Sequence, residues 1–232
     1  HHGAAQRYFT QGLRLAHEAD DAAMGGQILS NLSHQANYLG KYNEAIHYAR
    51  AAQSATLGKA SKTVSSMFVA MEARALASSG DSRGSAAALN RAEQDFASRR
   101  EIEDPDWISY FDALELAGEA AHCFRDLGHA QKTQYFAALA VDPLLTPPRT
   151  QSFISIVHAD GALSAGNLDE ALSLATLSVD LAGSLQSSRQ LRYIGDFCKA
   201  LTTGGHLRHR SVREFADTLT TRNSTLAVHF RS

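Results

Sequence analysis

Glu119-Ala120-Ala121-His122 sets a carboxylate and an imidazole on adjacent turns of a helix-forming run, with Glu115 one turn earlier. That spacing serves di-iron carboxylate bundles, which also need a second such pair and further glutamates on facing helices. A metal role is not expected. Cys123 follows His122, but neighbours on a helix point about 100° apart, so the two do not form a nucleophile and its base. His206-Leu207-Arg208-His209-Arg210 is a basic cluster able to meet phosphate, and it reads first as a solvated turn. Phosphate-loop, dinucleotide-binding and nucleophile-elbow signatures do not occur. The chain therefore reads as a binding protein without a cofactor, not as an enzyme.

Composition agrees with this. The 232 residues are 44% hydrophobic and 20% charged, which is ordinary for a protein with ample core. Net charge is −2, from 22 basic and 24 acidic residues, and the pI is near 6.6. A DNA-binding module would show a basic face and a pI above about 9, so direct nucleic-acid contact is not expected. Cys123 and Cys198 stand alone, outside any metal or redox motif, and suit a reducing cytoplasm. No apolar run approaches the roughly 18 residues that span a bilayer, so no membrane partner is expected.

The elements that position these residues are helices. Apolar residues keep helical spacing throughout, and no stretch alternates with period two. Pro105 and the group Pro143, Pro147 and Pro148 mark breaks. The spacing predicts helices over about 4–18, 22–39, 42–54, 61–78, 82–97, 106–127, 130–140, 148–165, 168–182, 188–203 and 211–221. Tyr8, Leu13, Leu15 and Ala16 are expected on the buried side of the first. Asp20 or Asp21, Ser61, Asp81, Asp106 and Asn167 are the capping candidates. Trp107, Tyr110 and Phe111 are expected as core between the second and third repeats, the alternative being an exposed patch for a protein partner. Residues 223–232 are expected to form at most a short terminal helix.

A phrase recurs between these helices: a helical run, a glycine, a few polar residues and a second Ala-rich run. It stands at Leu39-Gly40-Lys41-Tyr42-Asn43-Glu44-Ala45, Ser79-Gly80-Asp81, Leu127-Gly128-His129-Ala130 and Ala165-Gly166-Asn167-Leu168-Asp169-Glu170-Ala171, with a weaker copy at Thr203-Gly204-Gly205. A period near 40 residues marks helix hairpins stacked in series. The pattern resembles the tetratricopeptide repeat: Leu32, Ser33 and Ala36 precede Gly40 and Ala45, Ala49 and Ala52 follow it, while Ala159 and Ala162 precede Gly166 and Ala171 and Ala175 follow. Ser85 and Thr133 depart from the pattern, and the periods exceed that family's usual length. The resemblance implies an all-α, right-handed superhelix of about five hairpins in a single domain. Its repeats would run over about 1–20 (partial), 21–58, 61–98, 106–142, 147–184 and 187–222. His1-His2-Gly3-Ala4-Ala5 reads as the turn into the second helix of a repeat that begins upstream, the alternative being a tag before a true first helix.

Ala5-Gln6-Arg7-Tyr8-Phe9 and Asp104-Pro105-Asp106-Trp107-Ile108-Ser109-Tyr110-Phe111-Asp112, with Glu115-Leu116-Ala117-Gly118, resemble the repeat region of actinobacterial helix-turn-helix regulators of the Cro/C1 type. That resemblance implies a ligand-sensing or self-associating domain of a bacterial transcription regulator, a homodimer that meets DNA only through a domain outside these residues. The alternative is a protein-interaction scaffold with no regulatory ligand. In such repeats the first helix of each hairpin lines the concave face. One residue per turn then gives Gln27, Ser30, His34 and Asn37; Met67, Ala70, Arg74 and Ala77; Glu115, Gly118, His122 and Arg125; and Phe153, Ile156, Asp160 and Leu163. Gln27, His34, Asn37, Arg74, Glu115, His122, Arg125, Phe153 and Asp160 are the candidate ligand contacts. Amides bond a peptide backbone in both directions, and Arg74 and Arg125 are expected to fork onto a carboxylate. The expected ligand is a peptide, a protein segment or a small acidic molecule.

Overall fold

The structure, a computed structural model, describes residues 2–182 and 187–222. Over these the chain is all-α, with no strand among the described residues. It divides into two compact units, His1–Leu127 and Gly128–Ser232.

The first unit holds α1 (His2–Glu18), α2 (Ala22–Tyr38), α3 (Tyr42–Ala55), α4 (Lys62–Ser78), α5 (Ser82–Ala97) and α6 (Ala113–Asp126). α2 pairs with α3 and α4 with α5, and α4 also packs on α2, α3 and α6. Helix α4 is buried on every face from Ser66 to Ala77. Its sequence, apolar or small all round, is what such a position requires. α2 comes close enough that a Cβ on Gly26 would stand 2.7 Å from the Phe68 ring, so only glycine fits.

Hairpins are joined by a repeated polar contact. Ser33 Oγ donates to the Ala45 carbonyl and Ser66 Oγ to the Ala92 carbonyl, each at 2.8 Å. Beside them Ala45, Ala49, Ala52 and Ala92 are fully buried, the small side chains that let helix axes approach.

The recurrent glycine turns are one device used repeatedly. Gly40, Gly80, Gly128 and Gly166 all adopt positive φ, between 73° and 86°. After three of them the next N–H reaches back to close the helix: Lys41 to Ala36, Asp81 to Leu76 and Asn167 to Ala162, each at 2.9 Å. The weak copy is shifted by one residue. Gly204 ends a helix with φ −75, and Gly205 takes the left-handed turn at φ 76.

Several expectations need correction. Residues 106–127 are not one helix: Asp106–Ile108 is a 3-10 turn, and Asp112, not Asp106, caps α6 by accepting the Glu115 N–H at 2.9 Å. Of the aromatic group, Phe111 is buried against Phe96, Trp107 half-buried and Tyr110 exposed. On α1, Ala16 is buried and Leu13 partly so, but Tyr8 is 73% and Leu15 57% exposed. Of the helices in its unit, α1 packs chiefly on α2, so one narrow stripe suffices. Asp21, Ser61 and Asp81 cap as expected, while the Asn167 side chain donates to Glu170 instead.

The second unit holds α7 (Ala130–Leu139), α8 (Pro148–Ser164), α9 (Leu168–Ala182), α10 (Ser188–Thr203) and α11 (Arg210–Arg222). α8 packs on α7, α9 and α10, and α9 also packs on α11. Ser152 Oγ donates to the Ser178 carbonyl at 2.5 Å, the same first-to-second-helix contact as in the first unit. Phe197 and Phe215 meet edge to face at 5.9 Å and tie α10 to α11. The expected terminal element at 223–232 lies outside the described residues. No helix among the described residues is long and apolar enough to cross a membrane.

Candidate functional site

In the first unit α4 lies beside both α2 and α6, and the polar residues of these three helices meet. Ser30 of α2 donates to the Met67 sulfur of α4 at 3.2 Å. Arg74 Nη1 of α4 donates to Glu119 Oε2 of α6 at 2.5 Å, and their side chains are only 7% and 9% exposed. Arg125 grips its neighbour Asp126 through Nε at 3.0 Å and Nη2 at 2.5 Å, and Ser78 of α4 donates to the other Asp126 oxygen at 2.7 Å. Burial pushes the Asp126 carboxyl up, but the positive charges of Arg125 and Arg74 and the bonds from Ser78 and Arg125 outweigh it and leave it below the usual range.

At the other end Gln27 bonds the Tyr110 hydroxyl. Burial raises that phenol above its ordinary value, the Gln27 bond pulls it down, and the negative charges of Glu115 and Glu119 add to the rise.

Two placements correct the sequence expectation. Arg74 and His122, read as open groove residues, are 6% and 3% exposed. An isolated buried guanidinium is prohibitively costly, and Glu119 supplies its counter-charge. Gln27, His34, Asn37, Glu115 and Arg125 are half-buried. Both guanidiniums expected to hold a carboxylate already hold carboxylates of this chain. Among the buried polar atoms without a hydrogen-bond partner are two oxygens on α2, Gln27 Oε1 and Asn37 Oδ1, besides Arg74 Nε on α4, Ser85 Oγ and Asp104 Oδ1. The two carboxamide oxygens call for an N–H or O–H donor.

Phe153 and Asp160 lie on α8 in the second unit. Phe153 stacks on Tyr193 with centroids 4.8 Å apart, and the Arg189 guanidinium sits 4.1 Å from its ring centre. Asp160 is half-buried, and its charge adds to the rise that burial causes in the Cys198 thiol.

Sequence reasoning missed Glu72 and the pairing role of Glu119. Glu72 is buried on α4 and accepts from Arg50, Gln53 and Arg91. The signal was present: Glu72 and Arg74 are the charges inside an otherwise apolar run, and buried charges are paired. It also passed over Glu44-Ala45-Ile46-His47, a second copy of the carboxylate–imidazole spacing. That pair lies exposed on α3, with Glu44 bound to Lys41 at 3.1 Å. No three His, Cys, Asp or Glu side chains among the described residues come together as a metal site. No family model matches the chain. No curated protein matches it at a significant level.

Proposed function

We propose that this chain is a helix-hairpin repeat module of tetratricopeptide type, the ligand-sensing and self-associating part of a bacterial transcription regulator. Its ligand would be a peptide or small molecule received along α2, α4 and α6. The observation that carries the reading is the pair of unmatched carboxamide oxygens on α2, Gln27 Oε1 and Asn37 Oδ1, beside a row where every guanidinium already has a carboxylate. A peptide backbone supplies N–H donors at regular intervals, and amides answer them without a charge. A carboxylate ligand would compete with Glu119 and Asp126 for Arg74 and Arg125.

Repeated hairpins with left-handed glycine turns support the repeat assignment, and the sequence resemblance supports the regulator context. In that context the protein is a cytoplasmic homodimer whose DNA contacts belong to a helix-turn-helix domain elsewhere on the polypeptide.

Selection of random peptides displayed on phage against the purified chain tests the binding site. Enriched peptides are expected to bind Gln27→Ala and Asn37→Ala at least tenfold more weakly, with the melting temperature unchanged. Peptides that bind both variants as tightly as the parent overturn the placement. Sedimentation equilibrium tests the dimer, and a concentration-independent monomer mass overturns self-association.

A further inference from the structure

At the corner where α1 turns into α2, the first unit holds a cavity of about 360 Å³, within the range of small-molecule sites. Its apolar lining comes from Leu13 and Ala16 of α1, Leu29 of α2 and Ala55 of α3, with the His17 side chain of α1 beside them. Gly25 opens it. The neighbouring Gly26 is demanded by Phe68, but a Cβ on Gly25 would meet only Ala16 and Leu13 at 3.9 Å, an ordinary contact. Packing does not require glycine at 25, and glycine weakens a helix interior. Its effect is to leave the space unfilled.

The mouth carries opposite charges. Asp20 stands in the turn between α1 and α2, and Lys59 in the turn after α3. Asp21 is committed to capping the Met24 N–H at 2.9 Å, which leaves Asp20 as the carboxylate available to a guest. No ion pair joins Asp20 to Lys59. Asp20 is also the one described non-glycine residue at positive φ, 53°. Glycines hold that conformation at the bends of Gly40, Gly58 and Gly80; here Asp20 closes α1, with the Asp21 N–H returning to the Ala16 carbonyl at 2.9 Å, and Asp is one of the few side chains that accept the left-handed turn. That turn sets the Asp20 carboxylate on the rim of the cavity.

We propose that this cavity binds a free amino acid with an apolar side chain. The α-ammonium group meets Asp20, the α-carboxylate meets Lys59, and the side chain lies on Leu13, Ala16, Leu29 and Ala55. A molecule carrying both charges at one end and an apolar body at the other satisfies two unpaired charges and an apolar floor together. This site does not depend on the row along α2, α4 and α6.

Calorimetric titration of the whole chain with L-leucine and L-phenylalanine tests it, against N-acetyl-L-leucine, which lacks the ammonium, and L-leucinamide, which lacks the carboxylate. At least one free amino acid is expected to bind, and each blocked leucine to bind at least tenfold more weakly than leucine. Asp20→Asn keeps a residue that tolerates the left-handed turn, so binding is expected to weaken at least fivefold at unchanged melting temperature. Gly25→Leu is expected to fill the cavity and abolish binding. Where that variant fails to fold, Lys59→Gln carries the test by erasing the preference for leucine over leucinamide. No binding of either amino acid at millimolar concentration, equal binding of the blocked analogues, or undiminished binding to a folded Gly25→Leu overturns the proposal.

Discussion

Arg74 of α4 and Glu119 of α6 meet at 2.5 Å with both side chains less than a tenth exposed. The two residues stand 45 apart in sequence and bridge two helices, in the middle of the row that would otherwise be read as a charged groove. Each charge exists in the core because of the other. A buried pair adds little beyond a well-packed apolar replacement, yet breaking it strands a charge away from water.

Arg74→Ala and Glu119→Ala are each therefore expected to lower unfolding free energy by about 3–5 kcal/mol. The sequence alone led to a different expectation for Arg74, a guanidinium forking onto the carboxylate of a ligand. Replacing the pair together by Met and Leu is expected to recover most of the loss. Urea unfolding of the four proteins measures this, and a parent-like midpoint for Arg74→Ala would show the guanidinium to be dispensable to the fold.

Glu72 gives a pH dependence whose sign is fixed. Arg50 and Arg91 approach its oxygens at 2.7 and 2.6 Å, and Gln53 at 3.0 Å. Burial raises its carboxyl, but the bonds from Gln53 and Arg50 and the charges of Arg91 and Arg50 more than offset that, leaving it below 4.5. Asp126 is likewise held below 3.8. A folded-state value below the unfolded one means the unfolded chain binds protons first as pH falls. The stabilisation is present in full above about pH 5 and is lost as pH drops through 4.5 and below. Melting temperature is expected to ease downward below about pH 6.5, where burial holds the His158 imidazole below its ordinary value, and to fall steeply from pH 5 towards pH 3. Glu72→Gln is expected to melt lower at pH 7, with the gap to the parent narrowing at pH 3. A constant gap would mean that the Glu72 charge is not linked to folding.

The same residues show how far the sequence could be read. Gly40, Gly80 and Gly166 announced the turns because a left-handed residue after a helix is a local requirement that glycine meets most readily. Helix ends at Asp21, Ser61 and Asp81 were legible for the same reason. Asp20, which takes the same left-handed turn after α1, carried no such signal. Asp106 misled because it precedes an apolar run as a cap should. Asp112 won because Ile108 and Phe111 are drawn into the core first, a tertiary effect invisible to a local rule. The site failed differently. Helical periodicity placed Arg74, His122 and Arg125 on one side of their helices, but whether that side meets water depends on neighbours far along the chain. Glu119, the decisive neighbour of Arg74, lies one α-helix pair further on.

Gly25 and Gly26 are adjacent in α2 and are expected to respond in opposite directions to alanine. At Gly26 the new methyl would collide with the Phe68 ring at 2.7 Å and with Thr56 at 2.9 Å. Overpacking of this kind costs about 1–3 kcal/mol. At Gly25 the methyl fits at 3.9 Å, and removing an interior glycine stabilises a helix by about 0.5–1 kcal/mol. Thermal unfolding should place the parent between the two variants. A Gly26→Ala protein as stable as the parent would refute the close approach of α2 to α4.

Cys123 and Cys198 provide a chemical clock for opening of the two units. Burial pushes both thiols up to about 12; at Cys123 Arg74 pulls the other way, while Glu119 and Asp126 add to the rise. The thiolate is the reactive species, so neither cysteine is poised as a nucleophile. Neither side chain has any exposure, and a thiol reagent reaches them only when the surrounding helices open. At pH 8 the folded protein is expected to resist a disulfide-exchange reagent for hours, and both thiols to react at once in denaturant. Cys123 sits on α6 beside the Arg74–Glu119 pair, so Arg74→Ala is expected to speed labelling of Cys123 by at least tenfold. Cys198, in the second unit, serves as the internal reference, and peptide mapping after timed quenching separates them. Equal acceleration at both sites would mean the variant unfolds the whole chain; unchanged labelling at Cys123 would mean that the ion pair does not hold α6 in place.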